Sequence, residues 1–195
     1  MPVLHFSTFL KLLASPTGER IRSISKYAQP GGFDYWRSLR TGIAMMALPD
    51  TTVADARLYV HDNSGGNNRD NCLDRFDNIS SWVNRQSGAL SEVSQRGVWT
   101  SPNEVFSVYI EPELEIIGRN GSRVIAFYPT EQPALNRDVA GSGILLLRRY
   151  YGEGSNSQFQ IYDVNRNLCH RTPTNVSGEL LNADISDIER HFGNL

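Results

Sequence analysis

The sequence predicts an α+β protein, and three observations support that prediction. The chain has 195 residues, of which 39% are hydrophobic and 10% aromatic, which is enough for a substantial buried core. Its apolar residues recur with a helical period up to about residue 90 and with a mostly extended period after it. The dipeptide Asn120-Gly121 is a strong hairpin signal in the second half. We therefore expect residues 1–195 to form a single domain, with a mostly helical part over 1–90 and a mostly β part over 91–195.

The first part of the chain contains the predicted helical layer. Phe6–Ala14 has an amphipathic pattern, and the proline at position 16 suits the first turn of a second helix that reaches about Ala28. Asp34 is expected to cap a third helix, which Pro49 ends. Two further helices are predicted at Val53–Val60 and Asp70–Arg85. The polar segment His61–Arg69 between them is predicted to be a loop.

The first predicted hairpin joins a strand over Glu104–Ile117 to a strand over Arg123–Tyr128. With Asn120 and Gly121 as the two turn residues, Ile116 would face Ile125 and Leu114 would face Phe127. These four side chains would form one apolar face of the sheet.

The remaining elements complete the β part. Residues 136–151 are predicted to be a helix, because Ala140, Ile144, Leu147 and Tyr151 recur at helical spacing despite two glycines. A second hairpin is predicted from the strands Gln158–Val164 and Leu168–Arg171. A closing helix is predicted at Asp184–Phe192. The expected architecture is an N-terminal helical layer followed by a small antiparallel sheet of two hairpins packed on a helix, with a closing C-terminal helix.

Composition excludes several classes of protein. The formal net charge of −2 gives no general basic field, and no apolar run is long enough to span a bilayer, so we expect a cytoplasmic protein without a membrane partner. The chain has 17 Arg but only two Lys, which indicates a GC-rich, bacterial coding sequence. Two cysteines, Cys72 and Cys169, are too few for a disulfide framework and are expected to be reduced thiols.

Catalytic and cofactor motifs are absent from the sequence. Neither common phosphate-binding glycine motif occurs, and Gly141-Ser142-Gly143 lacks the flanking glycine of a nucleophile elbow. The polar stretch after His61 resembles a calcium loop when Asp62 is taken as its first position. It fails the calcium-loop template at the sixth and twelfth positions, which are Asn67 and Leu73. We therefore predict no cofactor, and the sequence leans against an enzyme.

Two groups of carboxylates could nevertheless bind metal. Asp70, Asp74 and Asp77 recur at helical spacing, but an apolar stripe lies on the opposite side, which is typical of an ordinary surface helix. The second group is on a predicted strand, where alternation places Glu113 and Glu115, together with Glu111, on one side. The adjacent Pro112 favours an exposed edge strand, on which acidic side chains discourage pairing with other chains.

One segment combines basic and aromatic residues. Arginine pairs well with phosphate or carboxylate, and aromatic side chains anchor interfaces or stack on bases. The candidate contact residues for a protein partner or a nucleic acid are Arg22, Lys26, Tyr35, Trp36, Arg37 and Arg40.

These observations favour a non-catalytic accessory or interaction protein, a subunit or regulator in a bacterial complex, whose partner is another protein. Two alternatives stay open. One is a nucleic-acid-binding protein that uses the Arg- and aromatic-rich segment over 20–40. The other is a metal-dependent hydrolase that uses the Asp or Glu clusters. The sequence does not define the oligomeric state.

Overall fold

The computed structural model describes residues 1–28, 34–119, 121–152 and 156–194. The helices in these ranges are α1 (Phe6–Ala14), α2 (Thr17–Tyr27), α3 (Arg37–Met45), α4 (Val53–Asn63), α5 (Gly66–Val83), α6 (Arg137–Tyr151) and α7 (Ser177–Gly193). The strands are β1 (Val3–His5), β2 (Ala89–Ser91), β3 (Gly97–Thr100), β4 (Ser107–Ile110), β5 (Leu114–Gly118), β6 (Gly121–Tyr128), β7 (Gln158–Asp163) and β8 (Leu168–His170). None of the helices in the described ranges combines the length and apolar character needed to cross a bilayer.

The strands form two sheets, so the predicted α+β class and the closing C-terminal helix are confirmed. A three-stranded sheet has the order β1-β4-β3, and a five-stranded sheet has the order β2-β5-β6-β7-β8. The predicted purely antiparallel pairing is wrong, because β6 and β7 are parallel neighbours, as are β1 and β4. Parallel neighbours require a long connection, and α6 supplies it between β6 and β7. The two predicted hairpins are thus merged into one mixed sheet.

Helices cover both faces of the five-stranded sheet, whereas the sequence predicted cover on one face only. Strand β6 shows why: Val124, Ala126 and Tyr128 belong to a core shared with α1, α6 and α7. Ile125 and Phe127 alternate with them and belong to a second core shared with α3, α4 and α5. A strand buried on both faces is apolar at nearly every position. The run Val124–Tyr128 has this pattern, which the prediction of a sheet covered on one face did not take into account.

The predicted strand over Glu104–Ile117 is wrong, because the chain leaves β4 in the small sheet and enters β5 in the large one. The observed register pairs Leu114 with Ile125, two residues away from the predicted pairing. A shift of two preserves side-chain parity, so all four predicted apolar residues still share one core. The predicted turn residue Asn120 lies outside the described residues.

The predicted loop over His61–Arg69 is also wrong, since α4 extends to Asn63 and α5 begins at Gly66. Tertiary hydrogen bonds account for the order of this polar segment. Ser64 Oγ lies 2.7 Å from Ser38 Oγ, and Asn68 Nδ2 donates to the Tyr35 carbonyl at 2.7 Å. Both Ser64 and Asn68 are buried, which a loop of this composition does not indicate.

The predicted helix over 136–151 is confirmed, with Asn136 as its cap. The Asn136 side chain accepts the Val139 N–H at 2.8 Å. Gly141 and Gly143 lower helix propensity, but both are sites of close packing. A Cβ at Gly143 would lie 2.5 Å from Leu10 Cδ2 and 2.6 Å from Ile161 Cδ1. Gly143 thus allows α6 to approach α1 and β7 closely, and Gly141 allows it to approach Ser177 at the start of α7.

Candidate functional site

A polar cavity of about 240 Å³ lies where the chain crosses from β4 to β5. One wall is a single face of α3, since four of the lining residues recur there at positions i, i+3, i+4 and i+7. The end of β1, the residue before β3 and the crossing segment supply the other walls. The lining residues are His5, Asp34, Arg37, Arg40, Thr41, Ala44, Arg96, Glu111, Pro112 and Glu113.

Asp34 and Arg40 form an ion pair in the wall of the cavity. Arg40 Nη1 donates to Asp34 Oδ1 at 3.0 Å, and Arg40 Nη2 donates to Asp34 Oδ2. This two-pronged geometry is the strong form of an arginine–carboxylate contact. Asp34 Oδ1 also accepts the Trp36 N–H at 3.3 Å just before α3. The predicted capping role of Asp34 is wrong, because Trp36 is the N-cap residue of α3 and no side chain among the described residues caps this helix. The Asp34 carboxylate therefore occupies much of the hydrogen-bonding capacity of Arg40.

His5 completes this group in one definite tautomer. Arg40 Nη2 lies 3.3 Å from His5 Nδ1, and a guanidinium can only donate, so Nδ1 accepts and the ring proton is on Nε2. His5 Nε2 lies 3.5 Å from Asp34 Oδ2. Burial and then the Arg40 guanidinium lower the pKa of His5, while Asp34 and Glu111 act in the opposite direction. The imidazole is thus mostly neutral near pH 7.

Glu113 forms the buried floor of the cavity, with only 6% of its surface exposed. Its Oε2 accepts the Phe127 N–H of β6 at 3.1 Å, which fixes the carboxyl group. Burial raises the pKa of Glu113 to about 7, against the opposing effects of Arg40 and the Phe127 N–H. No described side chain forms an ion pair with Glu113. The carboxyl group therefore changes from the protonated to the ionised form near neutral pH.

Arg37 and Arg96 are the two exposed arginines of the lining. Within the described ranges, neither side chain has an ion-pair partner or a hydrogen bond. Glu111 is half-buried in the same lining and likewise has no ion-pair partner in those ranges. The cavity thus presents two guanidinium groups whose donors are available.

The structure brings three of the predicted candidate residues together, although the sequence assigned them to separate sites. Arg37 and Arg40 from the basic segment line the same cavity as Glu113 from the acidic segment. Arg22 and Lys26 are exposed on α2 and do not line it. The proposed contact roles of these residues stay predictions.

Tyr35 and Trp36 line a larger neighbouring cavity of about 920 Å³. Their rings meet edge to face with centroids 4.6 Å apart, and Trp36 also packs on the core beneath α3. Tyr35 remains 41% exposed. His5 and Asp34 line both cavities and separate one from the other.

The predicted acidic clusters are arranged differently. The prediction that Glu113 and Glu115 project from one side of an exposed edge strand is wrong, because Glu113 precedes β5 and is buried. Asp70, Asp74 and Asp77 are exposed along α5, and Asp77 Oδ1 accepts from Arg57 Nε at 2.8 Å. Across the described ranges, no three His, Cys, Asp or Glu side chains are grouped so that they could hold a metal ion.

Three titratable or charged residues of the cavity were not among the predicted candidates: His5, Asp34 and Arg96. Glu111 was expected beside Glu113 in the acidic group. His5, Asp34 and Arg96 come from three distant segments and share no spacing motif, so no sequence signal could have grouped them. Asp34 had a local signal, but that signal indicated a helix cap.

The molecule is a mixed α+β protein with a charged cavity where its two sheets meet. No protein-family model matches the chain, and no curated protein sequence matches it.

Proposed function

We propose that this protein binds a small oxyanion, a carboxylate or a phosphate-like group, in the polar cavity. The observation that supports this proposal is the pair Arg37 and Arg96, which line the cavity without ion-pair partners in the described ranges. Arginine offers a planar set of donors that matches the oxygens of carboxylate and phosphate. Arg40 is the exception in the lining, because Asp34 already engages it.

The charges of the lining favour an anion. Three arginines and three carboxyl groups line the cavity, so the lining is balanced only when every carboxyl group is ionised. The pKa of Glu113 is about 7, so near neutral pH this group is uncharged in a large fraction of molecules. In those molecules the lining carries one surplus positive charge, which a bound anion would neutralise.

The size of the cavity limits the ligand. A volume of about 240 Å³ corresponds to roughly eight water molecules at about 30 Å³ each. A small organic acid or an inorganic oxyanion fits such a space. The proposal therefore concerns a small molecule or a single acidic group presented by a larger one.

Calorimetric titration tests this proposal, with sodium sulfate as the tetrahedral probe and sodium acetate as the carboxylate probe at constant ionic strength. We expect one of the probes to bind, and the double variant Arg37→Ala/Arg96→Ala to weaken that binding by about tenfold or more. The control is Arg22→Ala, because Arg22 is equally exposed but lies on α2 outside the lining. The proposal fails if neither probe binds, or if the control and the double variant lose the same affinity.

A second candidate function is the interaction with a protein partner through Tyr35. The observation that favours it is the 41% exposure of this ring beside the half-buried Trp36. Partly exposed aromatic side chains are enriched at protein interfaces. Tyr35→Ala is expected to weaken capture of a partner from the native host, while the control Leu168→Ala, at a 48% exposed position on β8, leaves it unchanged. Equal capture by wild type and Tyr35→Ala would exclude this surface.

A further inference from the structure

We propose that the cavity takes up its anion together with one proton, and that Glu113 holds this proton and donates it to the bound anion in a hydrogen bond. Glu113 would then determine which charge states the site accepts. This inference rests on the proposed function, because it needs an anion in the same cavity.

The geometry of Glu113 suits this role. Its Oε2 is fixed by the Phe127 N–H at 3.1 Å, while no other side chain in the described ranges bonds to the carboxyl group. Glu113 also lines the cavity, so the group can meet a ligand there. An ionised carboxylate only accepts hydrogen bonds and would repel an anion, whereas the protonated acid can donate one. Binding of an anion therefore favours the protonated form.

The surroundings of Glu113 leave it as the group that changes charge. The cavity wall on the α3 side contributes Asp34, Arg37 and Arg40. His5 comes from β1, Arg96 from the segment before β3, and Glu111 from the same segment as Glu113. The Phe127 N–H of β6 contacts the carboxyl group directly. Arg40 favours the ionised form, but it is paired with Asp34, and Glu111 favours the protonated form. Burial dominates and brings the pKa to about 7. The pKa of His5 is lowered, so His5 does not supply the proton at neutral or higher pH.

The reaction is a simple protonation. As the anion enters, a proton passes from the acid form of the buffer to a carboxylate oxygen of Glu113. The O–H bond on Glu113 forms, the bond between the proton and the buffer breaks, and the buffer base keeps that electron pair. At pH values above the pKa of Glu113, the apparent affinity should then fall by up to about tenfold per pH unit. At pH values well below that pKa, the proton is already present and the affinity should be independent of pH.

The test is calorimetric titration with sulfate and, separately, with acetate at about pH 6 and about pH 8.5, where both probes stay almost fully ionised. Each titration is repeated in two buffers of different ionisation enthalpy, because the difference in heat gives the number of protons taken up. We expect uptake approaching one proton at the higher pH and little at the lower pH. Glu113→Gln should bind the same probe as the wild type at both pH values with no proton uptake, since the amide can donate without ionising. The control Glu115→Gln, on β5 outside the cavity, should keep the wild-type uptake.

Each outcome is decisive. Binding of either probe by the wild-type protein without proton uptake at the higher pH would overturn the inference and leave the proposed function standing. Proton uptake that persists in Glu113→Gln would show that another group holds the proton, and would also overturn the inference. If sulfate and acetate bind at neither pH, both proposals fail.

A measurement on the wild-type protein covers the case in which Glu113→Gln does not fold. Carboxyl ¹³C resonances of glutamate-labelled protein are followed against pH with and without sulfate. One resonance should titrate near neutral pH, and its midpoint should rise when sulfate is present. A midpoint that does not move would overturn the inference.

Discussion

The burial of Glu113 leads to a quantitative prediction about stability. The ordinary pKa of a glutamate is 4.5, and the pKa of Glu113 in the folded protein is about 7. Between these values the folded state holds one proton more than the unfolded state, so the free energy of unfolding falls as pH rises through this interval. Each pH unit contributes about 1.4 kcal/mol, which gives a total loss of about 3 kcal/mol between about pH 4.5 and about pH 7. The loss reflects the cost of holding a carboxylate in a buried position.

Glu113→Gln removes this loss, because the amide has a similar shape and cannot ionise. Relative to wild type, the variant should gain up to about 3 kcal/mol in the free energy of unfolding at about pH 8 and almost nothing at about pH 4.5. Urea denaturation monitored by circular dichroism at the two pH values measures the difference. Glu115→Gln, on the strand β5 that directly follows Glu113, is the matched control. It should leave the difference in unfolding free energy between the two pH values as it is in the wild type.

The reasoning would be refuted if the difference between Glu113→Gln and wild type were the same at both pH values. That result would mean that Glu113 is ionised in the folded protein at neutral pH. The lining of the cavity would then be electrically balanced, and the argument from surplus positive charge would lose its basis.

Three further substitutions test the packing. Gly141→Ala should destabilise the fold by about 1–3 kcal/mol in urea denaturation, because the new Cβ would overlap Ser177 Oγ where α6 meets α7. Alanine also raises helix propensity by about 1 kcal/mol, but the cost of the overlap is larger. Phe76→Ala should cost about 3–5 kcal/mol and lower the melting temperature in calorimetry, because Phe76 is fully buried beneath α3 and α4. Asp77→Asn should cost less than about 1 kcal/mol, and less still in high salt, because its pair with Arg57 is about half exposed.

The sequence predicted those elements whose signals are local. Helix α1 was predicted with its observed bounds, Phe6–Ala14, because its apolar period is undisturbed. Helix α6 was recognised because four apolar residues on one face outweighed two glycines and because the segment is long for a strand. The hairpin of β7 and β8 was predicted for the same kind of reason, since its strands are adjacent in the chain.

The errors arose wherever tertiary contacts decide the structure. The polar segment over His61–Arg69 is ordered by hydrogen bonds to Ser38 and to the Tyr35 carbonyl, which lie more than 25 residues earlier in the chain. The parallel pairing of β6 with β7 depends on where α6 returns the chain, and periodicity carries no such information. Alternation in the acidic segment correctly suggested a strand after Glu113 but could not reveal that the chain changes sheets just before it.

The candidate site shows why residue types alone were not sufficient. Arg37 and Arg40 are three positions apart on one helix face, and the sequence treated them as equivalent basic contacts. The structure separates their roles, because Asp34 pairs with Arg40 and not with Arg37. Glu113 was a candidate for metal or acid–base chemistry, and its burial opposite these arginines makes it a proton carrier in our proposal instead. If β4 and β5 were one continuous strand, as the sequence predicted, Arg37 and Arg40 would belong to a basic patch and Glu113 to a separate acidic edge. The crossing between the two sheets is the feature that brings these three side chains into one cavity.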